Sequence, residues 1–106
     1  MCNPYLCFKP FRISNISRIP LEAKGVYGIW DNKYCIYVGR TWKQGLRKRL
    51  TQHWSNCHNP KLKKWIRVKK DKLNFTYKEY FSEKETKEME KYYYNLYKPL
   101  TNIQPL

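Results

Sequence analysis

The sequence predicts an α+β domain, with a small, mostly antiparallel three-stranded sheet flanked by helices in the order β-β-α-α-β-α. Three observations predict it. The stretch from Gly25 to Gly39 holds two runs rich in Val, Ile, Tyr and Trp on either side of Asp31-Asn32-Lys33, which is turn chemistry. Two segments with apolar residues at helical spacing follow, then one alternating with period two, then a last helical one. Finally, 106 residues fit one domain, and 4 Trp, 10 Tyr and 4 Phe supply a modest core despite a mean hydropathy of −0.87.

Residues 1–22 carry Pro4, Pro10 and Pro20 and no periodicity, so they are expected to form an arm packed on, or trailing from, a body spanning 23–106. They hold no uninterrupted apolar stretch, so a signal peptide and a membrane span are not expected, and a cytoplasmic location is. The hairpin comes next. With a turn centred on Asn32, residues whose numbers sum to about 64 lie opposite each other, which pairs Tyr27 with Tyr37 and Gly25 with Gly39.

From about Lys43 to Cys57, the recurrence of Leu46, Leu50, Trp54 and Cys57 predicts an amphipathic helix, with Arg49 and His53 one turn apart at the edge of its buried stripe. Asn59-Pro60 opens a short basic helix in which Leu62, Trp65 and Ile66 face inward. Leu73, Phe75 and Tyr77 alternate with Asn74, Thr76 and Lys78, the pattern of a half-buried strand. Ser82 and Glu85 form a capping box that starts a last helix, which runs to about Tyr97 and is stopped by Pro99. Its expected apolar face is Met89, Tyr93, Leu96 and Tyr97. Glu90 lies seven residues before Tyr97, at the border of that stripe, where a carboxylate is unusual unless something binds it.

A net charge of +14, from 22 basic and 8 acidic residues, points to a polyanionic partner, nucleic acid above all. Between Arg40 and Lys72, 12 basic residues face Asp71 as the one acid, so this interval is the expected electrostatic footprint. Cys2, Cys7, Cys35 and Cys57 show no CxxC spacing. Cys57-His58 lacks a second ligand pair, so free thiols are expected rather than a zinc site. No feature specifies an oligomeric state.

Four ordered blocks resemble the GIY-YIG nuclease family over Gly25 to Ile103. Gly25-Val26-Tyr27 is similar to the first name-giving triplet and Tyr37-Val38-Gly39 to the second, with Val in place of Ile in both. Arg49-Leu50-Thr51-Gln52-His53 has the arginine and the histidine one turn later, and Glu90 precedes Pro99 and Asn102 in a segment similar to the end of the nuclease domain of bacterial excision-repair proteins. The stretch after Tyr37 is two residues longer than usual if Arg49 is the family arginine. Arg47 would restore the commoner distance, whereas Arg49 keeps the helical register and is preferred.

The resemblance implies a Mg²⁺-dependent (or Mn²⁺-dependent) endonuclease acting on DNA, with RNA a possible substrate. It implies Glu90 as metal ligand, Tyr27 as general base or water-orienting group, Tyr37 holding water or phosphate, and Arg49 gripping the scissile phosphate. His53 would position Tyr27 or contact phosphate. Arg40 would contact the nucleic-acid backbone, and Lys43, Arg47, Lys48, Lys61, Lys63, Lys64 and Arg67 complete the expected binding surface. Gly25, Gly39 and Asn102 are expected to be structural. An unperturbed phenol titrates near 10, so Tyr27 needs positive charge nearby, from Arg49, His53 or the metal. The competing readings are a non-catalytic nucleic-acid-binding module that kept the fold, and a basic RNA-binding protein. The resemblance also implies low sequence specificity or a preference for DNA structure, because family members often owe specificity to an appended domain that this length does not accommodate, and the small size and Lys/Asn/Tyr-rich composition suit a phage or mobile-element protein.

Overall fold

The computed structural model describes residues 8–102. Strand β1 (Lys9–Pro10) and a single helical turn α1 (Ile13–Ile16) precede the hairpin of β2 (Gly25–Asp31) and β3 (Tyr34–Thr41). Helices α2 (Leu46–Asn56) and α3 (Pro60–Lys69) follow, then a 3-10 turn, strand β4 (Leu73–Glu79) and helix α4 (Glu83–Tyr97). The helix starts are set locally. Asn59 Oδ1 accepts from the backbone N–H groups of Lys61 and Leu62 at the start of α3, and Ser82 Oγ accepts from Glu85 N–H at the start of α4. At the other end of α4, Lys98 takes a left-handed φ of 47° before Pro99.

The sheet has the order β1-β4-β2-β3, every pairing antiparallel. It therefore gains one short edge strand, β1, beyond the three expected. The segment carrying β1 also reaches into the core: Phe11, Ile16 and Ile19 are buried with Ile29, Leu46, Leu50, Leu62 and Phe75 between α1, α2, α3 and one face of the sheet. Helix α4 covers the opposite face through Val26, Trp30, Val38, Tyr80 and Tyr93. The result is three layers, with the sheet in the middle.

This covering corrects two expectations. Thr76, expected to face solvent, is buried under α4 and accepts a hydrogen bond from Trp30 Nε1 at 3.0 Å. Leu96, expected on the inner stripe of α4, is 53% exposed, because Thr86, Glu90 and Tyr93 are the residues turned to the sheet.

The hairpin register is also corrected. Tyr27 lies opposite Gly39, and Gly25 opposite Thr41, a slip of two residues from the expected pairing. One residue comes from the turn, since Asp31 pairs with Tyr34 and leaves only Asn32 and Lys33 in the loop. Asn32 adopts a left-handed φ of 56°, which asparagine tolerates. The second comes from a bulge at Ile36, where Ile29 pairs with Tyr37 but Trp30 pairs with Cys35. An even slip leaves every side chain beyond the bulge on its expected face. Tyr27 and Tyr37 are thus diagonal neighbours, with ring centroids 6.0 Å apart.

Tyr27 lies across Gly39, and a Cβ added there would come within 2.5 Å of the Tyr27 ring and hydroxyl. A Cβ at Gly25 would meet the Lys78 carbonyl oxygen at 2.0 Å. After α4 the chain runs along the outer edge of β3. Thr101 bonds Ile36, and Asn102 both accepts from Val38 N–H at 3.1 Å and donates to its carbonyl at 2.9 Å. That pairing closes the edge the second triplet would otherwise expose.

Candidate active site

The face of the hairpin beneath α2 carries Tyr27 and Tyr37, and α2 presents Arg49 and His53 to them because residues four apart share a helix face. Tyr27 is fully buried, and its hydroxyl lies 2.7 Å from His53 Nε2. His53 is 4% exposed, and its Nδ1 lies 3.3 Å from Cys57 Sγ. The Cys57 thiol lies 3.7 Å from the Asn59 carbonyl, which can only accept.

That last contact orients the whole chain of hydrogen bonds. The thiol proton goes to Asn59, so Sγ accepts from His53, and the imidazole proton sits on Nδ1. Nε2 is then bare, and Tyr27 donates to it. The lone pairs of the Tyr27 oxygen are left for a donor on the other side. Cys57 was expected in the apolar stripe and as a free thiol, not as a partner of His53. Its spacing of four from His53 was the signal for this contact.

The charge states follow from burial. His53 is lowered to about 3, first by burial and then by the charges of Arg49 and His58, so it is neutral at physiological pH. It does not supply the positive charge expected beside Tyr27. Burial, and next the neighbouring Tyr37, raise the Tyr27 phenol well above its ordinary value, while Arg49 pulls it down. Burial raises Tyr37 as well, against the pull of Arg49, and the charge of Glu90 adds to the rise. Both phenols are therefore protonated, with the Arg49 guanidinium beside them. Arg47 is elsewhere: its Nε donates to the Ile19 carbonyl at 2.8 Å.

Glu90 approaches from α4, on the other side of the sheet, close to the edge strand β3. It is 6% exposed, and its carboxyl is raised by burial and lowered by Arg40, whose Nη1 donates to Oε1 at 2.8 Å. Among the described residues nothing else donates to this carboxylate. Arg40 and Arg49 line a common cleft of about 260 Å³ with Thr41, Trp42, Lys43 and Gln44. Two phenols, a guanidinium and a neutral imidazole thus form one cluster, while the buried Glu90 carboxylate is paired with Arg40, which shares a cleft with Arg49.

The remaining basic residues are dispersed. Lys63 and Arg67 line a second cleft with His53, Trp54 and Cys57, while Lys61 and Lys64 flank Trp65 in a third. Lys48 is exposed on α2. Among the described residues there are two ion pairs, Arg40–Glu90 and Lys69–Asp31, so most of the positive charge has no acidic partner. No group of three or more His, Cys, Asp or Glu side chains stands together among them, and no described helix is long and apolar enough to cross a membrane.

A model of the GIY-YIG catalytic domain matches residues 23–104. The chain belongs to the GIY-YIG nuclease family. Its fold is that of the GIY-YIG N-terminal endonuclease domain of UvrC from Thermotoga maritima. The magnesium-bound form of that domain is 21% identical, with a TM-score of 0.67 over 85% of this chain and 93% of that one. A tyrosine-to-phenylalanine mutant bound to its catalytic divalent cation is similar at 20% identity and TM-score 0.67, over 86% and 93% of the two chains. An asparagine-to-alanine mutant of the same domain gives 19% identity and TM-score 0.64 over the same shares. A comparison with curated protein sequences gives no match. The GIY-YIG match starts at residue 23, yet Phe11, Ile16 and Ile19 complete its core.

Proposed function

We propose that this GIY-YIG endonuclease hydrolyses phosphodiester bonds in DNA with Mg²⁺ or Mn²⁺, leaving a 5′-phosphate and showing low sequence specificity or a preference for DNA structure. The observation that carries the reading is the Tyr27–His53–Cys57 chain, which leaves the Tyr27 oxygen as an acceptor beside the Arg49 guanidinium. The donor chemistry suits a hard divalent cation: a buried carboxylate that, among the described residues, is met by the Arg40 guanidinium alone, and such an ion can take the rest of its shell from water and substrate oxygens. Glu90 is the residue that would hold it. When bound, such a cation polarises the phosphoryl oxygen and stabilises the leaving oxygen.

The protein's own groups divide the remaining work. Tyr27 accepts a proton from the attacking water while passing its own to His53 Nε2, so no free phenolate is required. His53 becomes an imidazolium as the phosphorane charge develops nearby, and its Nδ1–H stays on Cys57. Tyr37 orients the water or a phosphate oxygen through its hydroxyl. Arg49 donates to the equatorial oxygens, where its charge counts most as negative charge builds up. A cation held by Glu90 would take the place of the Arg40 guanidinium, which would then be free to contact the nucleic-acid backbone. Lys43 and the basic face of α3, with Lys61, Lys63, Lys64 and Arg67, attract the polyanion.

Supercoiled plasmid incubated with the pure protein and millimolar Mg²⁺ tests this. The expected result is nicking that chelator abolishes, with 5′-phosphate ends. The Arg40–Glu90 pair gives a second reading its one support, a non-catalytic binding module in which Glu90 is permanently neutralised. Plasmid that is bound but left intact at every Mg²⁺ or Mn²⁺ concentration decides for that reading.

A further inference from the structure

The loop between β3 and α2 is anchored at both ends by hydrogen bonds. Thr41 is buried and its Oγ1 accepts from Gly25 N–H at 3.3 Å, while Leu46 N–H donates to the Ala23 carbonyl at 2.8 Å. Gly45 packs so closely on the chain that a Cβ there would lie 2.5 Å from the Leu21 carbonyl oxygen. Between these anchors, Trp42, Lys43 and Gln44 stand at fixed positions in the wall of the cleft that Arg40 and Arg49 bound. The Trp42 indole is half-buried and pinned by the Lys24 ammonium, 5.3 Å from its ring centre.

The chemistry of this cleft is that of a nucleotide subsite. Its lining holds three cations, an indole, an amide and a hydroxyl, and no carboxylate. Cations alone would suit any anion. An aromatic face among them adds a stacking platform that every base can use, and Gln44 adds a donor and an acceptor for a base edge or a sugar. Arg49 belongs to the proposed chemistry and Arg40 to its carboxylate, so a strand whose scissile phosphate meets Arg49 must pass directly into this cleft.

We propose that the cleft receives the nucleotide next to the scissile phosphate, its base stacked on Trp42 and its phosphate held by Lys43. The assignment rests on the reading above that the substrate is a nucleic-acid strand. It makes Trp42 a binding residue that sets how the strand is registered against Arg49, without a preference for one base.

The test uses the full chain and an end-labelled DNA duplex whose cleavage position has been mapped with the same protein, with abasic nucleotides placed singly on either side of the cut. Loss of one stacked base is expected to raise KM about tenfold at one position adjoining the cut, with kcat within about twofold. Trp42→Ala should raise KM by a similar factor on the intact duplex and lose sensitivity to that abasic position, while Trp42→Phe restores most of both. Because Lys24 packs on the indole, a thermal melt accompanies each variant, and Lys43→Met provides an arm that leaves the ring in place and is expected to raise KM severalfold.

The subsite is overturned if no single abasic position stands out in the unsubstituted protein, or if Trp42→Ala responds to every abasic position as the unsubstituted protein does. It is also overturned if Trp42→Ala lowers kcat with KM unchanged. In these cases cleavage itself persists and the proposed function stands. A protein that neither binds nor cuts the intact duplex defeats both together.

Discussion

At the scale of single residues, the burial of His53 explains most of how the site behaves. In the proposed mechanism a neutral imidazole that accepts from Tyr27 lets the phenol take a proton from water while handing its own on in the same step. Tyr27→Phe keeps the ring and loses the relay. It is expected to lower kcat by about 10²–10⁴ while DNA affinity, read by anisotropy, stays within twofold. The same burial sets a pH dependence of stability. The folded histidine titrates at about 3 and the unfolded one near 6.5, so the unfolded state binds the extra proton between those values. The stability is therefore present above about pH 6.5 and is lost as pH falls toward 3, by about 1.4 kcal/mol per unit for this one group. In urea unfolding at pH 4 to 7, the difference between the protein and His53→Gln should change with that slope, and parallel curves would refute the assignment. Tyr27, Tyr37, Arg49, His53 and Glu90 could be singled out in the sequence as candidates through ordered blocks. The charge state of His53 was not legible there, because burial is a property of the assembled layers. The partnership of Arg40 with Glu90, 50 positions apart, was not legible either.

At the scale of elements, β2, β3, α2, α3, β4 and α4 were readable because each carries its own period, cap or turn. Register was not, since it depends on loop length and on a bulge that no local pattern announces. The slip has a consequence for Gly39, which lies opposite Tyr27 and under its ring. Gly39→Ala has no room for its methyl without displacing that ring. It is expected to lower stability by about 1–3 kcal/mol in chemical denaturation and to lower activity more than the stability loss explains. Activity that is unchanged in the folded variant would show that the position of Tyr27 over Gly39 is not needed for cleavage.

At the scale of the whole molecule, positive charge dominates: +14 overall, with two ion pairs among the described residues. Affinity for DNA should fall steeply with salt, the slope of log K against log salt approaching −0.9 per phosphate contacted. A nearly flat salt titration would contradict a backbone-led mode of binding. Charge was plain from composition, whereas the contribution of Phe11, Ile16 and Ile19 to the core was hidden by the prolines and the lack of period around them. Their packing makes these three residues part of the same core as the hairpin, α2 and α3. The same assembly brings α2 and α4 to the edge strand from opposite faces of the sheet, so that Arg40 of that strand pairs with Glu90 of α4 and shares a cleft with Arg49 of α2. The most direct test of the account is single-turnover cleavage by Glu90→Gln, run beside its DNA binding and its thermal melt. The expected result is an intact fold, unchanged or slightly tighter DNA binding, and cleavage reduced by at least about 10³ at any Mg²⁺ concentration. Cleavage by Glu90→Gln at the rate of the unsubstituted protein would contradict the site described here.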